Sequence, residues 1–337
     1  MSDGGWSFGA FGIAILLSLF LMAIMPSLSN NSYAFAPQNG TPDSLGRVPG
    51  DHILNIGIWI INVYSFEYRT GSYTFDFYAY FFWTDKNITD IDWYVMNGLP
   101  SSPATKVMVS NGTSDGYYFE IWRVREDLSV PLEPKGYPFD EVDLPISIEV
   151  LPHGYSTEFN WMPQESGVDP GFKIVGWNVK RVDYTIFDHH YPLNSTLPQA
   201  VMTLAIAKSP FVAFMQTIFP PLIFCVVSAF SYLFRMDEEG NFGLRIGLNT
   251  SMLITAVLFN ISVTSNIPPI SEFNLYSAFI TAVMSFLSMT LRVTIIGYVE
   301  WKHQKRAEQI MRINIWGAVV SLALPLLIFL VFFIVNG

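Results

Sequence analysis

The sequence predicts a membrane protein of the α+β class, an extracellular antiparallel β-sandwich followed by a four-helix transmembrane domain. Three observations carry this prediction. Of 337 residues, 51% are hydrophobic and only 14% charged, a balance poor in charge for a chain that lives in water. The second half holds four long apolar stretches, and the first half holds short alternating runs separated by Pro, Gly, Asn and Asp.

The amino end, residues 1–36, carries an apolar run at about 8–25 and then Ala34-Phe35-Ala36, a small-x-small cleavage pattern. It reads as a signal peptide, with a retained anchor as the alternative. Residues 37–208 read as the sandwich, with no sustained helical periodicity. The best strand, SYTFDFYAYFFWTD, puts Tyr73, Phe75, Phe77, Ala79, Phe81 and Trp83 on a core face and Thr74, Asp76, Tyr78 and Tyr80 on a partly polar one. A second strand follows Tyr137-Pro138-Phe139-Asp140. There Ile146, Ile148 and Val150 face one way and Ser147 and Glu149 the other.

Residues 209–337 hold the apolar stretches, roughly 210–234, 246–267, 275–299 and 313–335, each long enough to cross about 30 Å of hydrocarbon as a helix. Arg235 and Arg245 follow the first stretch, and Lys302, Lys305, Arg306 and Arg312 follow the third. Positive charge marks both loops as cytoplasmic and places the sandwich outside, so the expected location is the cell membrane, multi-pass. The one cysteine, Cys225, lies in an apolar run, which leaves no intramolecular disulfide and no cysteine-based metal site.

Several motifs stand in a particular order: Trp83-Thr84-Asp85, then YPFDEVDLPISIEV, then AIAKSPFVAFMQTIFPP with Pro220, then LFNISVTSNIPPI with Pro268. From about residue 50 to the end the chain resembles a pentameric ligand-gated ion channel, of the Cys-loop receptor superfamily, in the short prokaryotic form without the loop cysteines. The resemblance implies a homopentamer that conducts inorganic ions. In it the Tyr137–Asp140 loop presses on the membrane domain, and Asp140 neighbours a basic residue before the first helix, here Lys208. Glu67 is a candidate third member of that coupling group, beside Pro220 and the Ile267–Pro269 loop.

On the second helix, Gly243, Gly247, Ser251, Ile254, Leu258, Ile261 and Ser265 recur every three or four residues and share one face. The resemblance makes this the pore lining. Small or polar groups lie at the inner end, and Ile254, Leu258 and Ile261 form a collar that excludes water until it widens. Asn249, Thr250 and Asn260 lie off the stripe and are expected to bond to neighbouring helices. Residues 37–208 hold 21 acidic against 11 basic positions, and Asp237, Glu238 and Glu239 stand at the cytoplasmic mouth, which favours cations.

For the stimulus, the resemblance implies a site between sandwich domains. The candidates are Tyr78, Tyr155, His189, His190 and Tyr191, for a small molecule or, through His153, His189 and His190, for protons. The alternative to a channel is a non-conducting, membrane-anchored pentameric sensor or binding protein of the same fold. No nucleophile elbow, metal-spaced cluster or phosphate loop is present, so neither enzyme activity nor a metal or cofactor is expected. The acidic balance argues against a nucleic-acid partner and leaves lipid, ions and the stimulus.

Overall fold

The computed structural model describes residues 52–86, 88, 91–100, 102, 104–114, 116–134, 136–151, 157–192, 196–235, 239–269, 274–303 and 306–336. Residues 1–36, read from the sequence as a signal peptide or an anchor, lie outside them. The chain divides into two compact units. Of the described residues, one comprises 52–132 with Glu141–Ser209; the other comprises Glu133–Asp140 with those from Pro210 on. The 133–140 loop therefore belongs with the helices, although the strands on either side of it belong to the sandwich.

In the first unit, ten strands among the described residues form two sheets. The larger runs in the order β4 (Thr105–Ser114), β5 (Tyr117–Ser129), β2 (Ser72–Trp83), β1 (His52–Glu67) and β7 (Thr157–Trp161), with β8 (Gly167–Val168) also on β1. The smaller runs β3 (Trp93–Val95), β6 (Glu141–Val150), β10 (Thr196–Ala207), β9 (Asn178–His190). All pairings are antiparallel except those of β7 and β8 with β1.

Strand alternation fixes the faces. Tyr73, Phe75, Phe77, Ala79, Phe81 and Trp83 are all buried, and they pack with Ile56, Ile58 and Ile60 of β1 and Leu144, Ile146 and Ile148 of β6. Aromatic and β-branched residues suit this inter-sheet space because they fill it without polar atoms. Two polar tips that enter it are bonded: the Tyr73 hydroxyl donates to Pro145 O at 2.7 Å, and Trp83 Nε1 donates to Ile88 O at 2.9 Å.

Among the described residues, the second unit holds four helices long and apolar enough to cross a membrane: α1 (Pro210–Leu233), α2 (Glu239–Thr264), α3 (Leu275–Lys302) and α4 (Ala307–Asn336). A multi-pass membrane protein follows from their length and composition. Two of them begin earlier than hydropathy predicts, at Glu239 and Ala307, because their first turns are polar and add helix without adding apolar length. In α1, residues 214–218 widen into a π-turn directly before Pro220 and Pro221. Proline lacks the amide proton and crowds the carbonyl one turn back, so the helix takes the wider spacing there. Gly317 of α4 sits where any Cβ would collide with Val293, and this lets α3 and α4 approach closely.

Candidate functional site

Helix α2 presents two different sides. Gly243, Gly247, Ser251, Ile254, Leu258, Ile261 and Ser265 are all exposed in the single chain, with Ile254 55% and Leu258 61% accessible. Only 11% of the α2 membrane window is buried within the chain, against 50% for α3. The opposite side is anchored. Arg245 is fully buried and donates to Phe234 O at 3.0 Å and Asn314 Oδ1 at 3.1 Å, with its guanidinium 5.6 Å from the Tyr232 ring. One turn on, Asn249 accepts from Ser228 Oγ at 2.7 Å and donates to Thr294 Oγ1 at 3.1 Å, tying α2 to α1 and α3. Higher up, Asn260 Oδ1 accepts from the Tyr276 hydroxyl at 3.2 Å. Asn249 and Asn260 thus bond to neighbouring helices, as polar groups in a membrane must.

The 133–140 loop packs on the helices through Tyr137 of its motif and through helix residues that carry none. Tyr137 and Pro138 are buried. The Tyr137 ring meets Tyr276 edge-on at 5.7 Å and its phenol is hydrogen-bonded to Thr217 of α1. Asn274 caps α3 by accepting from Ser277 N at 2.8 Å, and its amide reaches Pro134 O at 2.9 Å. Phe139 N donates to Gly136 O at 3.0 Å, and a Cβ at Gly136 would stand 2.7 Å from Asp140 Oδ1, so a larger residue there would displace that carboxylate. Ile267 and Pro268, beyond the end of α2, are buried and Pro269 is exposed. Pro220 lies at the π-turn of α1.

Lys208 and Glu67 belong to the sandwich unit. The Lys208 ammonium lies 5.2 Å over the Trp177 ring, and burial lowers its pKa. Glu67 is exposed at the start of a tight turn in which Gly71 N donates to its carbonyl at 3.0 Å. A second cation stands at the start of β6: Arg181 of β9 reaches Asp143 at 3.1 Å and Glu141 at 3.8 Å, and pairs with Asp183.

At the other end of the smaller sheet, the β9–β10 hairpin closes over one carboxylate. Glu149 of β6, on the side of the strand opposite Ile146 and Ile148, is 3% exposed. Its Oε1 meets His189 Nδ1 at 2.6 Å and accepts from Gln199 Nε2 at 3.0 Å, while Oε2 accepts from the Tyr191 hydroxyl at 2.6 Å. The His189 and Tyr191 rings lie 4.3 Å apart, and burial together with Glu149 pushes the Tyr191 phenol up to about 12. Sequence reasoning found His189 and Tyr191 but missed Glu149, which holds them. His190 pairs with Thr196 Oγ1 at 3.0 Å on the exposed edge of the hairpin.

Tyr78 stands apart from that cluster. It faces outward from the larger sheet, opposite Trp59 and Arg123 in register, while Glu149 and Gln199 face outward from the smaller one. A single chain does not bring the two groups together. Tyr155, His153, Asp237 and Glu238 lie outside the described residues; Glu239 opens α2, and its side chain is likewise outside them.

A scan against protein-family models finds no match for this chain, and a comparison with curated proteins finds none similar to it.

Proposed function

We propose that the chain forms a homopentameric ligand-gated ion channel, cation-conducting, with its sandwich outside the cell and its pore along α2. The observation that carries this reading is the unpartnered stripe on α2. Seven residues from Gly243 to Ser265 are exposed among the described residues, while Arg245, Asn249 and Ala256 are buried on the anchored sides. Five such stripes around an axis give a wide inner mouth of glycine and serine and a collar of Ile254, Leu258 and Ile261. An apolar collar of that kind stays dry, and closed to ions, until it widens.

The packing of the 133–140 loop supports a relay. A displacement of Tyr137 acts on Tyr276, and Tyr276 is bonded to Asn260 on the pore helix. Tyr78 and the Glu149 cluster lie on opposite outer faces of one sandwich, so a stimulus site that uses both has to form between neighbouring copies. The acidic balance of the outer domain concentrates cations at the entrance.

The test is ion flux into vesicles that contain the purified protein, beside the mass of the solubilised particle. The reading expects a particle of five chains and flux of small cations. A five-chain particle without flux under any stimulus favours the non-conducting sensor.

A further inference from the structure

The connection between β3 and β4 fastens two strands to each other. Met96 N donates to Ser147 O on β6 at 2.8 Å, and the Asn97 side chain donates to Pro145 O at 2.8 Å and accepts from Ser147 N at 3.2 Å. On its other side, Ser129 N donates to Asn97 O at 3.1 Å and Leu99 N to Asp127 O at 2.8 Å, both on β5. β5 and β6 are the strands that lead into and out of the 133–140 loop. Residues 96–99 therefore set how the two ends of that loop are held.

Glu126 lies under this connection. It occupies the inward row of β5 between Val124 and Leu128, is 9% exposed, and its Oε2 has no hydrogen-bond partner among the described residues. Gly98 rests directly on it, since a Cβ at that position would collide with Oε1. The cation facing Glu126 is Lys106 of β4, whose ammonium donates to Trp93 O at 2.6 Å and stands 4.0 Å over the Trp93 ring. The other charges around the pair are Asp127, next on β5, and Asp92 ahead of β3, which acts through Lys106; β2 presents Phe75. Hydrogen bonds from Ser102 and Thr74 lower the Asp127 pKa, so it stays charged near neutral pH.

We propose that Glu126 is a proton-binding site built into the sandwich, and that proton uptake there alters the 96–99 fastening and acts on the loop as a stimulus. In the step, one proton from solvent adds to the carboxylate and the pair with Lys106 gains one positive charge. Lys106 then loses its attraction to Glu126 and keeps that to Asp92. The neutral acid also brings a new O–H donor that must find an acceptor beside Gly98. Burial with a bare oxygen favours the neutral form and raises the carboxyl pKa to about 7, against the opposing pull of Lys106. The proton site stands on the sandwich alone; its effect on a gate rests on the channel reading.

The experiment is infrared difference spectroscopy of the full chain in lipid between about pH 8 and about pH 5, with currents recorded from the same samples during acid steps. A protonated-carboxyl band that grows in near neutrality and is missing from Glu126→Gln supports the site. Absence of the band, or its persistence in Glu126→Gln, overturns it. Lys106→Met provides a second reading: loss of the cation moves the midpoint up by about one unit or more, and an unchanged midpoint overturns the assignment. If the parent answers acid steps and Glu126→Gln answers identically, the relay fails. If no form conducts while the Glu126-dependent band is present, the site stands and the channel reading fails.

Discussion

Tyr137 of the 133–140 loop meets Tyr276 at the start of α3 edge-on, with ring centroids 5.7 Å apart and planes at 86°. The Tyr276 hydroxyl in turn holds Asn260 of α2 at 3.2 Å. Two aromatic rings and one hydrogen bond thus connect the loop to the proposed pore helix without passing through any charged pair.

Tyr276→Phe keeps the ring contact and removes the bond to Asn260; Tyr276→Ala removes both. An edge-to-face pair contributes about 0.5–1.5 kcal/mol, a factor of about two to ten. The half-maximal stimulus for current is expected to shift modestly in the first variant and by that further factor in the second. Combining Tyr276→Ala with Tyr137→Ala should give less than the sum of the two separate effects, and strict additivity would contradict coupling through this pair.

Asn249 joins three helices inside the membrane. Replacing it by leucine leaves Ser228 and Thr294 short of a partner, and interhelical bonds of this kind contribute about 0.6 kcal/mol each. Unfolding in mixed detergent should show a loss of about 1–2 kcal/mol. Gly247→Ala, on the exposed stripe where a Cβ meets nothing among the described residues, should leave the same measurement nearly unchanged.

The hairpin cluster depends on Glu149. Tyr191→Phe removes one charge-assisted bond to that carboxylate, a loss of about 1.5–3 kcal/mol before discount for the exposure of the hairpin. Faster amide exchange should be confined to β9, β10 and their connection. Uniform loosening of both sheets would mean that the bond does not hold the hairpin in particular.

Glu126 also fixes the sign of a pH effect. Its folded pKa of about 7 lies above the ordinary carboxyl value, so between the two the folded chain holds a proton that the unfolded chain releases. Its contribution to stability is present in full below the ordinary value and is lost as pH rises through about 7. The thermal midpoint of the parent should fall across that window relative to Glu126→Gln, and parallel curves for the two proteins would contradict it.

Much of this architecture is legible in the residues. The alternation of β2 names its core face, and four apolar stretches name four helices. Hydropathy missed the polar first turns of α2 and α4 because it measures apolar length rather than helix. Alternation put Glu149 on the side opposite Ile146 and Ile148 but could not show what covers it, because the covering hairpin comes from forty residues further on. Tyr276 and Asn274 carry no motif, although an asparagine directly before a long apolar helix is a capping signal. Glu126 was readable in outline as an acid between two inward-facing aliphatics on β5. Its enclosure depends on Gly98 and Lys106, which only the fold brings near.

The central claim is that the exposed stripe of α2 lines a gated pore. The most direct measurement is current across a voltage-clamped bilayer containing the purified protein, parent beside Ile254→Ala. Shrinking the collar side chain should let water in, so the variant is expected to conduct spontaneously or at a weaker stimulus than the parent. A confirmed pentamer in which neither protein ever conducts, with or without acid steps, would contradict the account.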